Sequence, residues 1–459
     1  MNSEKQDHNS ELSRLPVSKL FWRYTIPAVA AMLVNGLYST IDGIFIGRAI
    51  GAEGLAAINL IWPLFGLIIG LGIMIGVGTA AHCSIAKGQE NYRKARKMIG
   101  NGITLTLITG LLLSIITFTF TKTLLHWMGS SEGPLFDMAV NYLQIIGYGT
   151  LFAAAGAGFP IMVRNDERPK LATIIIVTGA LLNIFLDYLL IIIIPMGVTG
   201  AAVATIIAQT VTTLWSLGYF LSHHAKLRIR LNDLGANLRY YGSILVTGLP
   251  SLTMYAYMSF VLALHNHLFL VYGSTVTLAA FSVVGYVQAI YYMMSEGIAN
   301  GMQPIVSFNK GAHDYANIRK AMKLASLTVL ASGITTVLFI NIWPEKLALI
   351  FNTANSALIS ETTQGLRLHL FTMFLDGFIV VAAAYFQAMA RSIIATIITV
   401  GNMLVQLPLL WILPKYLGVL GVWISLPLSN ILLAIAVFYV LAKDTKKHLH
   451  QPRGRSQLS

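Results

Sequence analysis

The segments AKGQENYRKARK (residues 86–97) and NKGAHDYANIRK (residues 309–320) are one stretch of sequence written twice. They agree at Lys87/Lys310, Gly88/Gly311, Tyr92/Tyr315, Arg96/Arg319 and Lys97/Lys320, each pair 223 positions apart. The same offset pairs Pro27 with Pro250, Gly78 with Gly301, and Arg168-x-x-x-Ala-Thr with Arg391-x-x-x-Ala-Thr. Gly197-x-x-Gly200 then meets Gly418-x-x-Gly421 at an offset two residues shorter. A register held from residue 27 to residue 183 means two homologous halves in one chain, a plan common among secondary transporters.

Composition places both halves in a membrane. Hydrophobic residues make up 56% of the chain and charged residues 11%, with a mean hydropathy of +0.70. A soluble domain carries roughly 25% charged residues. Twelve apolar runs are each long enough to cross a hydrocarbon core of ~30 Å. We read them at 22–47, 55–82, 98–124, 137–160, 171–194, 198–222, 242–267, 276–303, 321–343, 366–389, 393–413 and 418–442. The expected fold is an all-α integral membrane protein of twelve transmembrane helices. Its organisation would be a six-helix bundle over 1–222, a linker over 223–241, and a second six-helix bundle with a tail over 242–459.

The formal charge of +13 does not point to nucleic acid, because of where the charges fall. Of 31 Lys and Arg, 26 lie in the termini and in the connections at 84–97, 164–170, 226–239, 310–323 and 391. The opposite face holds only Arg48, Lys122, Lys346, Arg367 and Lys415. The positive-inside rule then puts both termini and the 223–241 linker in the cytoplasm. Six helices per half is an even number, so the two pseudo-symmetric bundles enter the membrane in the same direction, as a parallel repeat. Residues 1–18 are polar and lack the pattern of a cleaved signal peptide.

Enzyme and pump signatures are missing from the sequence. There is no G-x-x-x-x-G-K-[S/T] and no H-E-x-x-H. Gly70, Gly72, Gly76 and Gly78 lie inside an apolar span, where they suit close helix approach better than phosphate binding. His265 and His267 are two apart and do not share a helix face, which disfavours a metal pair. The single cysteine, Cys83, rules out an internal disulfide and reads as a small packing residue. No cofactor is expected, and the drive would be an ion gradient or the substrate's own.

Acids inside the spans therefore carry the functional reading, since one at the bilayer centre costs roughly 2.5–3.5 kcal/mol. Asp42, Asp187, Glu296 and Asp376 qualify, whereas buried bases are almost absent, which favours cations. Asn35, Tyr38 and Asp42 fall at i, i+3 and i+7 in the first span. Asn183 and Asp187 are i, i+4 in the fifth, and Thr205 and Gln209 are i, i+4 in the sixth. Counting from the span ends at ~1.5 Å per residue puts Asp42, Asp187 and Thr205 at one depth, ~8–12 Å inside the outer face. Such oxygen ligands suit Na⁺, and the two acids equally suit a shared proton. The alternative is that each acid simply bonds a neighbouring helix.

LYSTIDGIFIGRAIGAEGLAAINLIWP, AKGQENYRKAR, LLNIFLDYLLI, GVTGAAVATIIAQ and GIANGMQPIVSFNKGAHDYANIRKA together resemble the multidrug and toxic compound extrusion (MATE) family. The resemblance covers nearly the whole chain. It implies two six-helix bundles in a V around a central cavity, in a bacterial inner membrane, exporting cationic amphipathic compounds in exchange for H⁺ or Na⁺. In the DinF-like branch the ion site uses a first-helix Asp, a fifth-helix Asn-x-x-x-Asp and a sixth-helix Thr. These correspond to Asp42, Asn183, Asp187 and Thr205. Another branch uses acids in the seventh and tenth helices. Asp376 matches the latter, but the seventh span offers His265 and no carboxylate.

Further cavity candidates are Gln288, Tyr292 and Glu296, on one face of the eighth span, with Glu296 about seven residues from its inner end. Asp376 sits about ten residues into the tenth span. Methionines of the second half, such as Met254, Met293 and Met373, would give an adaptable lining or ordinary packing. Pro27 removes a backbone donor early in the first helix, where a bend coupled to Asp42 competes with a proline at a frayed helix start. The expected partners are small cationic molecules and membrane lipids, not nucleic acid, with a monomer as the default assembly. Two other classes remain: a lipid or lipid-linked oligosaccharide flippase, which should carry basic cavity residues, and a membrane enzyme, for which the repeat offers no rationale.

Overall fold

A computed structural model describes residues 10–128, 132–351 and 356–447. The extreme termini of the sequence reading, 1–9 and 448–459, lie outside the described residues. All regular structure among the described residues is helical. In chain order it comprises α1 (Glu11–Arg14), α2 (Val17–Ala49), α3 (Ala52–Gly88), α4 (Tyr92–Thr119), α5 (Thr121–Trp127), α6 (Pro134–Asn165), α7 (Pro169–Asp187) and α8 (Val198–Leu221). The second half contributes α9 (Leu238–Tyr272), α10 (Thr275–Gly311), α11 (Tyr315–Ile342), α12 (Pro344–Phe351), α13 (Ser356–His369), α14 (Met373–Ala388), α15 (Ser392–Leu417) and α16 (Val419–Lys447).

Eleven of these helices are long and apolar enough to cross a membrane, and the bent pair α13–α14 makes a twelfth span. The twelve correspond one to one with the predicted runs, so the chain is a multi-pass membrane protein. Their outer faces are apolar, as lipid contact requires: Leu111, Leu112 and Ile115 on α4, and Leu432, Ile435 and Phe438 on α16, are exposed.

The repeat is visible in the backbone. Helices α3, α4, α6 and α7 begin or end 223 positions before α10, α11, α14 and α15 at Gly88/Gly311, Tyr92/Tyr315, Asn165/Ala388 and Pro169/Ser392. Asn91 and Asp314 each cap the following helix by accepting from a backbone N–H three residues on. The left-handed residues recur as well: Glu90 with His313, Glu167 with Ala390, and Gly197 with Gly418. Only the last pair is offset by 221, and the helices explain why. Helix α7 passes at Asp187 into a π-helical segment, Tyr188–Ile193, whereas α15 stays α-helical to Leu417. A π turn closes i→i+5 and takes up extra residues, so the two-residue slip falls beside Asp187.

The chain divides into two compact units: Met1–Pro16 with Ala30–Ala256, and Val17–Val29 with Tyr257–Ser459. Helices α2 and α9 thus each contribute to both. Within the first unit, the early part of α9 packs on α3, where a Cβ on Gly78 would lie 2.0 Å from the Ile244 carbonyl oxygen. His82 Nε2 lies 2.9 Å from Thr247 Oγ1. Within the second unit, the start of α2 packs on α10, where a Cβ on Gly301 would lie 2.4 Å from Thr25 Oγ1. The glycines of the second span act as predicted: a Cβ at Gly72 would meet the Ala154 carbonyl oxygen at 2.1 Å, and one at Gly76 the Gly158 oxygen at 2.7 Å. Cys83 is buried in the core cluster that holds Ala86, Ala95 and Met98.

A buried base does occur outside the predicted spans, at one end of the first unit. Lys87, at the end of α3, is 2% exposed and pairs with Glu167 Oε1 at 2.6 Å. Lys226 reaches Glu167 Oε2 at 2.6 Å, and Ser10 Oγ and the Glu11 N–H donate to the same carboxylate at 2.8 Å. Burial alone would raise the Glu167 carboxyl, but Lys87 and Lys226 overcome it and hold it down to about 2, from an ordinary 4.5. A group depressed in the folded state stabilises fully above its unfolded value and loses that contribution as pH falls through the folded one. The contribution is about 3 kcal/mol, present above about pH 4.5 and lost towards about pH 2. We expect Glu167→Gln to unfold more easily at neutral pH by about 3–5 kcal/mol, because Lys87 stays buried without its counter-charge. Unfolding curves of variant and wild type should converge as pH falls; a constant gap would show that charge is not the cause.

Candidate functional site

Asp42 on α2, Asn183 and Asp187 on α7, and Thr205 on α8 all belong to the first unit. Asp187 is fully buried, Asn183 is 2% exposed and Thr205 9% exposed. Oδ1 of Asp42, both side-chain polar atoms of Asn183 and both carboxylate oxygens of Asp187 are buried without a hydrogen-bond partner among the described residues. One orphaned polar group costs about 1–3 kcal/mol, and more if charged. The four oxygens among these five atoms are acceptors that a proton, a cation or water would satisfy, and the Asn183 amide nitrogen is a donor that water would satisfy.

Asp42 and Asp187 lie within electrostatic reach of each other, and both reach the phenols of Tyr38 and Tyr142. Two carboxylates so placed repel, and a cation between them or a proton on one removes the repulsion. Tyr142, 5% exposed on α6, was not legible as a site residue. A lone tyrosine in an apolar span looks like packing until the fold turns it towards the acids. The π segment begins directly after Asp187, where a widened turn changes the direction of the chain. Gln209 is half-buried on α8 and packs against α6, where a Cβ on Gly156 would meet its Oε1 at 2.2 Å. Asn35 is exposed, so it does not join the buried set.

The second half does not copy this cluster. At the 223 offset Asp42 becomes His265, Asn183 becomes Gln406 and Asp187 becomes Leu410. The Tyr257 hydroxyl donates to Gln406 Oε1, and Tyr257 and Tyr291 lie within reach of the Asp376 carboxylate. Asp376 is 8% exposed, but its predicted position needs correcting. The span breaks between His369 and Met373 with a 49° bend, and Asp376 stands in the first turn of α14. Glu296 lies fifteen residues before α10 ends at Gly311, because this helix continues past the apolar run that the sequence marks. Gln288 and Tyr292 share that helix. Pro27 lies inside an unbroken α2, two residues before the point where the helix passes from one unit to the other.

His265 has no relation to His267 but meets His369, ring centroids 5.6 Å apart, in a box with Phe269, Phe281 and Trp423. Each Nδ1 is 2.9 Å from a backbone carbonyl oxygen, of Val261 and of Trp423 respectively. The bent span brings His369 there, and spacing along the chain could not reveal the pair.

A family model described as MatE matches residues 27–189 and 250–412, two segments related by the same offset of 223. Among relatives, the multidrug export protein MepA of Staphylococcus aureus (strain N315) is 22% identical over 93% of this chain and 94% of its own. MepA of Staphylococcus saprophyticus subsp. saprophyticus is 23% identical over 93% of each. A structure described as the outward-facing conformation of a multidrug resistance MATE family transporter of the MOP superfamily superposes with a TM-score of 0.90 at 25% identity, covering 96% of this chain and 98% of the other. A twice-matched family model, a twelve-span fold repeated at one offset and whole-length relatives agree: the chain belongs to the MatE family, the multidrug and toxic compound extrusion transporters.

Proposed function

We propose that the protein is a cation-coupled antiporter that exports cationic, amphipathic drugs and toxic compounds from the cytoplasm, with H⁺ or Na⁺ as the coupling ion. The observation that carries this reading is the set of five buried, unpartnered polar atoms on Asp42, Asn183 and Asp187. The ion enters from outside and occupies these residues together with Thr205. Tyr38 and Tyr142 border the site. The ion and the drug favour different states, because a ligand that binds both states equally shifts nothing. The relatives named for multidrug export and the acids placed in the spans support small cationic molecules as cargo. Basic cavity residues of the kind a flippase for pyrophosphate-linked lipids would need are not among the candidates. Membrane placement is in the inner (plasma) membrane with cytoplasmic termini, as the 26-to-5 distribution of Lys and Arg supports.

The test is dye export by the purified protein in proteoliposomes with an imposed H⁺ or Na⁺ gradient. Uphill movement under one gradient, and none without it, is the expected result and names the ion. Export that ignores both gradients would remove the antiporter reading. Pro27 enters as a hinge: it has no N–H to place in the helical hydrogen-bond ladder, just before α2 changes units. We expect Pro27→Ala to slow export several-fold while leaving the thermal midpoint unchanged. Full export by this variant would show that no bend at Pro27 is used.

A further inference from the structure

The repeat places one lysine at the same point of both units and gives the two lysines different partners. In the first unit Lys87 meets the Glu167 carboxylate at 2.6 Å, beside Ser84, which donates to Asn165. In the second unit, 223 positions on, Ser307 donates to the Ala388 carbonyl at 2.9 Å and Lys310 donates to the Met389 carbonyl. The scaffold is therefore conserved between the halves while its charges differ. Asp166 and Glu167 become Met389 and Ala390, and Ala390 keeps the left-handed backbone of Glu167, φ 50 against 64. Half-buried Lys310 has no carboxylate within ion-pair distance among the described residues. In the same unit Asp444 pairs with Arg391 and accepts from the Tyr385 hydroxyl. Arg391 lies within electrostatic reach of Lys310, and Arg391 and Arg319 both reach Tyr385. Asp444 offsets Arg391, which leaves the half-buried charge of Lys310 without a carboxylate among the described residues, and charge-assisted contacts to phosphate oxygens are among the strongest available.

We propose that Lys310, beside Arg391, binds a phosphate-type anion, from an anionic lipid headgroup or from solution, which stands towards Lys310 as Glu167 stands towards Lys87. These residues lie where α10 and α14 end and α11 and α15 begin. On the topology proposed above this is the cytoplasmic end, where anionic lipid headgroups are available.

The experiment compares thermal unfolding of the full-length wild type, Ala390→Glu, Lys310→Gln and Lys320→Gln in nanodiscs. The discs are of phosphatidylcholine alone, of phosphatidylcholine with phosphatidylglycerol, or of phosphatidylcholine with inorganic phosphate added. Wild type and Lys320→Gln, which removes an exposed charge from the same unit, should gain about 2–4 °C with the anion. Ala390→Glu supplies the first-half carboxylate in a backbone that already accepts one, so it should start more stable and gain nothing. Lys310→Gln should also gain nothing, and it decides the matter if Ala390→Glu does not fold. A response to phosphatidylglycerol without one to phosphate assigns a lipid headgroup; a response to both assigns phosphate-type anions generally. Equal gains in Lys310→Gln and wild type, or no gain in wild type, would overturn the proposal.

Discussion

Replacing Asp187 with Asn should abolish concentrative export while the protein still folds and still binds dye. The side chain is fully buried, and neither oxygen has a partner among the described residues, so an amide of the same shape fits without disturbing packing. What it loses is the negative charge that attracts a cation and the basic oxygen that accepts a proton. Exchange of one monovalent ion for one monovalent cationic compound moves no net charge, so the ion's concentration gradient is the drive: a tenfold gradient is about 1.4 kcal/mol and sustains a roughly 10-fold concentration ratio of exported compound. The variant should bring the ratio to about one, the value for a protein no longer linked to the gradient. Asp42→Asn should act the same way, and the double variant should be no worse than either single one, because residues acting as one site are not additive. Asp376→Asn is the contrast. It lies in the other unit, and substantial retained export by this variant would keep coupling in the first.

The second large effect is steric. Gly72→Val places atoms where the Ala154 carbonyl oxygen stands 2.1 Å from even a Cβ, and the obstacle is backbone, which cannot rotate away. Gly158 on α6 returns the contact, with a built Cβ 2.5 Å from the Gly72 oxygen, so the two helices have no room to part locally. Overpacking typically costs about 1–3 kcal/mol, and a backbone clash belongs in the tail above about 4 kcal/mol. We expect Gly72→Val to yield little monodisperse protein on size-exclusion chromatography. Gly66→Ala, in the same helix, meets nothing within 4 Å and should behave as wild type. Equal yields from the two variants would refute the close α3–α6 packing.

Much of this was legible before any coordinates. Hydrophobic runs of bilayer length are a strong signal because lipid leaves helices as the only way to satisfy the backbone. The repeat then added register, down to the slip of two residues that marks the π segment beside Asp187. Asp42, Asn183, Asp187 and Thr205 stood out because polar residues in an apolar span are few and their depth can be counted. Tyr142 did not, since nothing in its own helix separates it from packing aromatics. The break at 370–372 was hidden because Leu370, Phe371 and Thr372 read as a continuous part of the run 366–389, with no proline or glycine to mark it. The ring contact of His265 with His369 and the carboxylate of Glu167 on Lys87 join residues about 100 and 80 positions apart. Such pairings depend on helix packing, which periodicity along one chain does not encode. The two halves compared with each other did show one difference in advance: acids at 166 and 167 have no counterparts at 389 and 390.

The coupling ion is proposed to occupy the carboxylate cluster of the first unit, and drug export depends on it. The most direct measurement is cation flux driven by a drug gradient, in proteoliposomes of purified wild type, Asp42→Asn and Asp187→Asn. Drug loaded on one side should drive H⁺ or Na⁺ in the opposite direction through the wild type, and neither variant should move the ion. Drug-driven ion flux that persists in both variants would contradict the account and move the coupling site out of the Asp42–Asp187 cluster.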